Sequence, residues 1–180
     1  MISLRKINSV LIIIMILMLL HHAVLSALFL YGFIDYSPDF KITGRRLFYP
    51  LVAHIIISLY LYFKTLKVKK YSKLISPTTQ QFITGIAIIV FASLHILSYM
   101  LIPPEILFEP IIRLTHLIID ISLFTSLILH LRVSIPRLLM TFGFLDGKNS
   151  YDNFTEKFNI ISLIILILLI LAEISCWVII

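Results

Sequence analysis

Apolar residues gather into five long blocks, approximately Ser9 to Ile34, Leu47 to Phe63, Phe82 to Ile102, Ile111 to Leu131 and Asn159 to Ile180; the stretches between them hold nearly all the charges, prolines and glycines. A hydrocarbon core of about 30 Å takes roughly 20 residues of helix to cross. Each block therefore predicts a transmembrane helix, with the short second one extended by about a turn at either end. Backbone in lipid must satisfy its own hydrogen bonds, which for blocks of this length means helix. No internal repeat, low-complexity tract or linker interrupts the pattern, so residues 1–180 read as one membrane domain. The first block opens like a secretory signal, with Arg5 and Lys6 ahead of the apolar run, but continues past His21 and His22 through Leu28, Phe29 and Phe33. It is longer than a signal's apolar region and has small residues poorly placed for cleavage, so a retained helix is expected.

Composition agrees with this reading. Of 180 residues, 60% are hydrophobic and 13% charged, and the mean hydropathy is +1.06. A water-soluble domain of this size keeps too much surface exposed to hide that many Ile and Leu side chains, so lipid is the solvent for most of the chain. The single cysteine, Cys176, excludes an intrachain disulfide and any Cys-built zinc or iron–sulfur site. A net charge of +6 bears here on topology, and no nucleic-acid partner is expected. Lys and Arg number two before the first helix, then three, five, one and four in the successive connections, so alternate connections carry eleven on one side and four on the other. The positive-inside bias puts the N-terminus in the cytoplasm and the C-terminus outside. The run Lys64, Lys67, Lys69, Lys70 and Lys73 is first an orientation signal and second a docking surface for a cytoplasmic partner.

All six histidines, His21, His22, His54, His95, His116 and His130, fall inside the apolar blocks. Ionisable groups in hydrocarbon are costly and mark relays, ligands or pores; the bland alternative for any single one is a hydrogen bond to a neighbouring helix. Depth strengthens the joint case. His54 lies 10 residues from Lys64 and His130 lies 7 from Arg137, which is about 15 Å and about 10 Å from the cytoplasmic ends. His22 lies 16 residues beyond Lys6 and His95 lies 14 beyond Gln81, about 24 Å and about 21 Å in. The inner pair comes from helices 2 and 4 and the outer pair from helices 1 and 3, which are the two diagonals of an up-down bundle. A flat macrocycle gripped on both faces by imidazoles needs that arrangement, so two stacked b-type haems fit the plan. The expected fold is an all-α membrane protein of five transmembrane helices, the first four forming an up-down bundle around two haems. Covalent c-type attachment is excluded, since no Cys-x-x-Cys-His is present.

His116 keeps an alternative open. It stands 14 residues before His130, about 21 Å of rise and within roughly 40° of the same helix face, and two-haem cytochromes with both ligands on one helix at this spacing form a class. It is either an outer ligand in place of His22 or His95, or an outer-surface histidine near a haem propionate or quinone. His21 points about 100° away from His22, so only one of them faces the bundle centre. His22 is taken as the ligand and His21 as a packed or lipid-interface residue.

These residues resemble a known family. Gln81-Phe82-Ile83-Thr84-Gly85-Ile86, followed ten residues after the glycine by His95, is similar to the third-helix entry and ligand of the five-helix, two-haem cytochrome b anchor subunit of bacterial succinate dehydrogenases and fumarate reductases. Pro50-Leu51-Val52-Ala53-His54 resembles its second ligand segment, Ile128-Leu129-His130-Leu131 leading to Thr141-Phe142-Gly143 its fourth, and Arg5-Lys6-Ile7-Asn8-Ser9 leading to His22 its first. The resemblance spans nearly the whole chain. It implies that His54 and His130 hold the haem nearer the soluble subunits and that His22 and His95 hold the farther one. It further implies a flavoprotein and an iron–sulfur subunit docked on the cytoplasmic side, a quinone such as menaquinone or ubiquinone as the membrane redox partner, and a bacterial inner membrane as the site. The chain would be non-catalytic alone, an electron-transfer subunit of the respiratory chain and the tricarboxylic acid cycle. The family often carries an arginine beside the Gln81 position, where this chain has Phe82, and His116 has no obvious family role.

Haem propionates are anionic and seek Arg or Lys at the membrane edge; candidates are Arg45, Arg46 and Arg113 outside, with Lys64, Arg132 and Arg137 inside, against ordinary snorkelling for each. Asp120, one turn after His116, and Glu173 are candidates to move protons to or from a quinone, or else are protonated and bonded within the bundle. Glu105 and Glu109, beside Pro103 and Pro104, are candidate quinone-mouth carboxylates or solvated loop residues. Tyr31, Phe48, Tyr49 and Tyr99 read as an aromatic belt. Three other functions stay open: a haem-bearing membrane subunit of a nitrate reductase, formate dehydrogenase or hydrogenase; a proton-coupled transporter with a His/Asp relay; and a haem-free assembly subunit whose histidines bridge helices.

Overall fold

A computed structural model describes residues 4–35, 39–68, 77–101 and 109–176. Apart from the turns at 31–35, 109 and 142–146, these segments are helical: α1 is Leu4–Leu30, α2 Asp39–Val68, α3 Pro77–Leu101, α4 Pro110–Thr141 and α5 Gly147–Ile174. All five are long and apolar enough to cross a bilayer, which makes this a multi-pass membrane protein.

All five helices start earlier than the apolar blocks, and two run on beyond them. α2 begins eight residues before Leu47, α5 begins twelve before Asn159, and α4 runs ten residues past Leu131. Hydropathy marks contact with lipid, whereas a helix continues wherever its backbone bonds do, so polar turns outside the apolar block stay helical. The block ending at Ile34 overshoots in the other direction, because α1 stops at Leu30. There Gly32 turns left-handed at φ 73°, and the amides of Gly32 and Phe33 donate back to the carbonyls of Phe29 and Leu28. This is a Schellman cap, and a glycine is the residue that takes its left-handed position without strain. α4 ends in the same way: Gly143 has φ 77°, and the amides of Gly143 and Phe144 donate to Met140 and Leu139. The final residues of the last apolar block, like Ile102, lie outside those described.

Proline enters two helix interiors, at Pro50 in α2 and Pro136 in α4. Each removes one amide donor, and membrane helices tolerate this when neighbouring helices cover the freed carbonyl. Pro136 is fully buried.

The chain divides into two compact units, Met1–Leu74 and Ile75–Ile180. In the first, α1 packs on α2; in the second, α3 packs on α4 and α4 on α5. What is buried is polar more often than apolar: Ser9, Ser98, His116, Asp120, Ser126, Ser134, Ser162 and Glu173 are inside, with Leu30, Ile128, Leu138 and Ala172 as the apolar part. Leucines and isoleucines such as Leu17, Leu20, Ile56 and Ile160 face outward. Lipid is as apolar as Leu, so burial here selects small residues that let helices approach and polar ones that bond across them.

Candidate functional site

In the first unit, the hydrogen bonds set an antiparallel register. His54 of α2 places Nδ1 3.0 Å from Oδ1 of Asn8, and His22 of α1 places Nδ1 3.2 Å from Oγ1 of Thr43. The two imidazoles therefore sit at opposite ends of one helix pair, 14 residues apart along α1 and 11 along α2, or about 21 Å and about 16 Å of rise. Ser58, one turn beyond His54, brings its hydroxyl to 3.3 Å from Nδ1 and 3.4 Å from Nε2. Gly44 opposes His22, and a Cβ there would sit 3.6 Å from the ring's Cε1. A larger side chain at that position would push into the space beside the imidazole.

The second unit repeats the arrangement. His130 of α4 places Nδ1 3.0 Å from Oγ1 of Thr84. The Thr84 hydroxyl donates back along α3 to the Gln80 carbonyl at 2.8 Å, so toward His130 it presents a lone pair and Nδ1 carries the proton. Nε2 of His130 is thereby the unprotonated nitrogen. Gly85 opposes this ring too, with a Cβ position 3.6 Å from Cε1. At the other end of the pair, Nδ1 of His95 lies 2.6 Å from Oδ1 of Asp120. From Thr84 to His95 is 11 residues and from Asp120 to His130 is 10, about 16 Å and about 15 Å of rise.

Asp120, 1% exposed, also accepts from the Tyr99 hydroxyl at 3.3 Å through Oδ2. The Tyr99 ring lies between two histidines, 4.9 Å from His95 and 4.6 Å from His116. His116 is 0% exposed, with Nδ1 3.4 Å from the Ser98 hydroxyl, which itself donates to the His95 carbonyl. Glu173 of α5, 2% exposed, stands within electrostatic reach of Tyr99. Tyr99 is thus a member of a buried polar cluster, where an aromatic belt was expected. It follows His95 by four residues and stacks one turn along the same face. The same spacing from His116 to Asp120 puts that carboxylate beside the ring, and these two matching intervals were the available signal. The pairing of Asp120 with His95 was not legible, since it depends on the register of α3 against α4.

The expected cationic residues separate by direction. Arg45 and Arg46 are exposed one and two residues after Gly44. Arg113 is half-buried one turn before His116. Arg132 donates through Nε to Asn159 on α5 at 2.7 Å, on the side of α4 away from His130. Arg137, two turns beyond His130 on the same face, donates to Oε1 of Gln81 at 2.8 Å, and Gln81 donates to Ser134 at 2.7 Å. Lys64 is exposed near the end of α2, and Glu109 is exposed at the start of α4, where its carbonyl accepts the first amides. His21 is exposed. Pro103, Pro104, Glu105, Lys69, Lys70 and Lys73 lie outside the described residues, as does the side chain of Lys67.

Among the described residues no three His, Cys, Asp or Glu side chains group to hold a metal ion by themselves. A porphyrin brings four nitrogens of its own and asks the protein for axial imidazoles only. His22, His54, His95 and His130 suit that demand: each is half-buried with part of the residue accessible, and each has Nδ1 turned onto an oxygen of a neighbouring helix. His116 shares the Nδ1 contact but is enclosed on all sides. No protein-family model, curated protein or solved structure matches this chain.

Proposed function

We propose that the chain is the membrane-anchor cytochrome b subunit of a succinate:quinone oxidoreductase, carrying electrons between a cytoplasmic flavin and iron–sulfur enzyme and a membrane quinone. Bound haem would supply the one-electron ferric/ferrous couple. The observation that carries the reading is the repeated plan of the two units. Each is an antiparallel helix pair with two imidazoles at two heights, about 15–21 Å apart, each imidazole anchored through Nδ1 on a neighbouring helix. An oxygen on Nδ1 orients the ring, as the outer partners of metal-bound histidines do, and iron would be taken up at Nε2. By their depths and the family resemblance, His54 and His130 would hold the inner haem and His22 and His95 the outer. The enclosure of His116 favours His95 over it as the outer ligand. Gly44 and Gly85 add room beside two of the rings.

The two lower anchors, Asn8 and Thr84, lie near the N-terminal ends of α1 and α3, which the Lys and Arg bias assigns to the cytoplasmic side of an inner membrane. Arg137, held by Gln81 on the His130 face, would meet a propionate there, and Arg45 and Arg46, two and three residues after the Thr43 that contacts His22, would do so at the outer level. The succinate dehydrogenase and fumarate reductase assignment, with its flavoprotein and iron–sulfur partners and its quinone, is supported by the four ligand motifs in order along the chain.

A second reading, a proton-coupled transporter, is favoured by the chain of contacts His95, Asp120, Tyr99, His116 and Ser98. One experiment decides between them: absorption spectra of the purified protein, oxidised and dithionite-reduced, with haem quantified per chain. The expected result is two haems b with bis-imidazole α-bands, halved by His130→Ala or His95→Ala and unaffected in number by His116→Ala. A colourless preparation would sink the cytochrome reading.

A further inference from the structure

Three of the proposed ligands turn Nδ1 toward neutral oxygens, those of Thr43, Asn8 and Thr84, at 3.0–3.2 Å. His95 turns its Nδ1 toward a carboxylate at 2.6 Å. A carboxylate accepting from Nδ1 draws that proton toward itself, loads negative charge onto the ring and makes Nε2 the stronger donor to a metal. Ferric iron carries one more positive charge than ferrous iron and gains more from that donation. Asp120 is buried at 1% exposure, so little solvent screens it. Its second oxygen accepts from the Tyr99 hydroxyl at 3.3 Å, which takes up part of the same charge.

We propose that Asp120 is a positioning residue that lowers the reduction potential of the haem held by His95, and that Tyr99 moderates it through the hydrogen bond to Oδ2. This rests on His95 being a haem ligand, and the test separates the two claims. Redox titration of the purified, haem-loaded chain, followed optically and by electron paramagnetic resonance, reads the midpoint of each haem. Asp120→Asn raises one midpoint by the equivalent of roughly tenfold in the reduction equilibrium, about 59 mV for a one-electron couple, and leaves the other in place. Asp120→Glu, which keeps the carboxylate, stays near wild type. Tyr99→Phe moves the same midpoint downward. His95→Ala removes the haem that Asp120→Asn shifts.

If Asp120→Asn retains both haems with unchanged midpoints, or shifts the haem that survives His95→Ala, the proposal is overturned. Should Asp120→Asn lose its haem, Tyr99→Phe decides: it deletes one hydroxyl, and an unmoved midpoint there overturns the proposal as well. A wild-type chain without haem is a different outcome, which fells the cytochrome reading and takes this inference with it.

Discussion

A single hydroxyl shows how the site is set. Thr84 spends its proton on its own helix and so gives His130 an acceptor, which fixes the tautomer more firmly than any feature of the histidine itself. Three residues earlier, Gln81 uses both ends of its amide, accepting from Arg137 and donating to Ser134. A side-chain hydrogen bond contributes about 1 kcal/mol, and up to roughly 3 kcal/mol when one partner is charged. Gln81→Leu is therefore expected to destabilise the protein by about 2–3 kcal/mol, Thr84→Val by about 1 kcal/mol and Thr84→Ser by less. Unfolding in detergent, followed by circular dichroism, ranks the three; Thr84→Val matching Gln81→Leu would contradict the assignment. The histidines were legible as a group because ionisable residues are rare in lipid-crossing segments. Their anchors were not, since serine, threonine and asparagine are common in membrane helices and only register tells which of them meets an imidazole.

At the level of elements, α4 is the helix around which the second unit is built, contacting α3 on one side and α5 on the other. The apolar pattern found its first two thirds and lost the rest at Arg132. The helix persists through Arg132, Ser134, Pro136 and Arg137 because α3 and α5 supply what lipid cannot: Gln81 for Arg137 and Ser134, Asn159 for Arg132. The Arg132 to Asn159 bond is the polar clasp between α4 and α5. A double-mutant cycle isolates its worth. Arg132→Met and Asn159→Leu are each expected to cost about 1–3 kcal/mol, and the double variant to cost clearly less than the two together, with a coupling of about 0.5–3 kcal/mol. Additive losses would mean that the two side chains act independently.

For the whole molecule, five spans and their all-helical character could be read directly, because hydropathy and backbone satisfaction in lipid leave few alternatives. The proposed sidedness rests on counting Lys and Arg, and it yields a direct check on the chain expressed in intact bacterial cells. In a Cys176→Ser background, Asp35→Cys is expected to react with a membrane-impermeant maleimide from outside. Lys6→Cys and Lys148→Cys are expected to react only after permeabilisation. Labelling of Lys148→Cys from outside would reverse the proposed orientation. One further property concerns α3 and α4. Their side chains link at Gln81, Thr84, His95 and Ser98 to Ser134, His130, Asp120 and His116, stepping 17 residues up one helix and 18 back down the other. Two rods stitched at both extremes cannot ratchet past each other without breaking every stitch together. On the proposed cytochrome function, gain or loss of an electron would be met by a scaffold that barely rearranges, and small nuclear reorganisation is what lets charge hop quickly through a membrane.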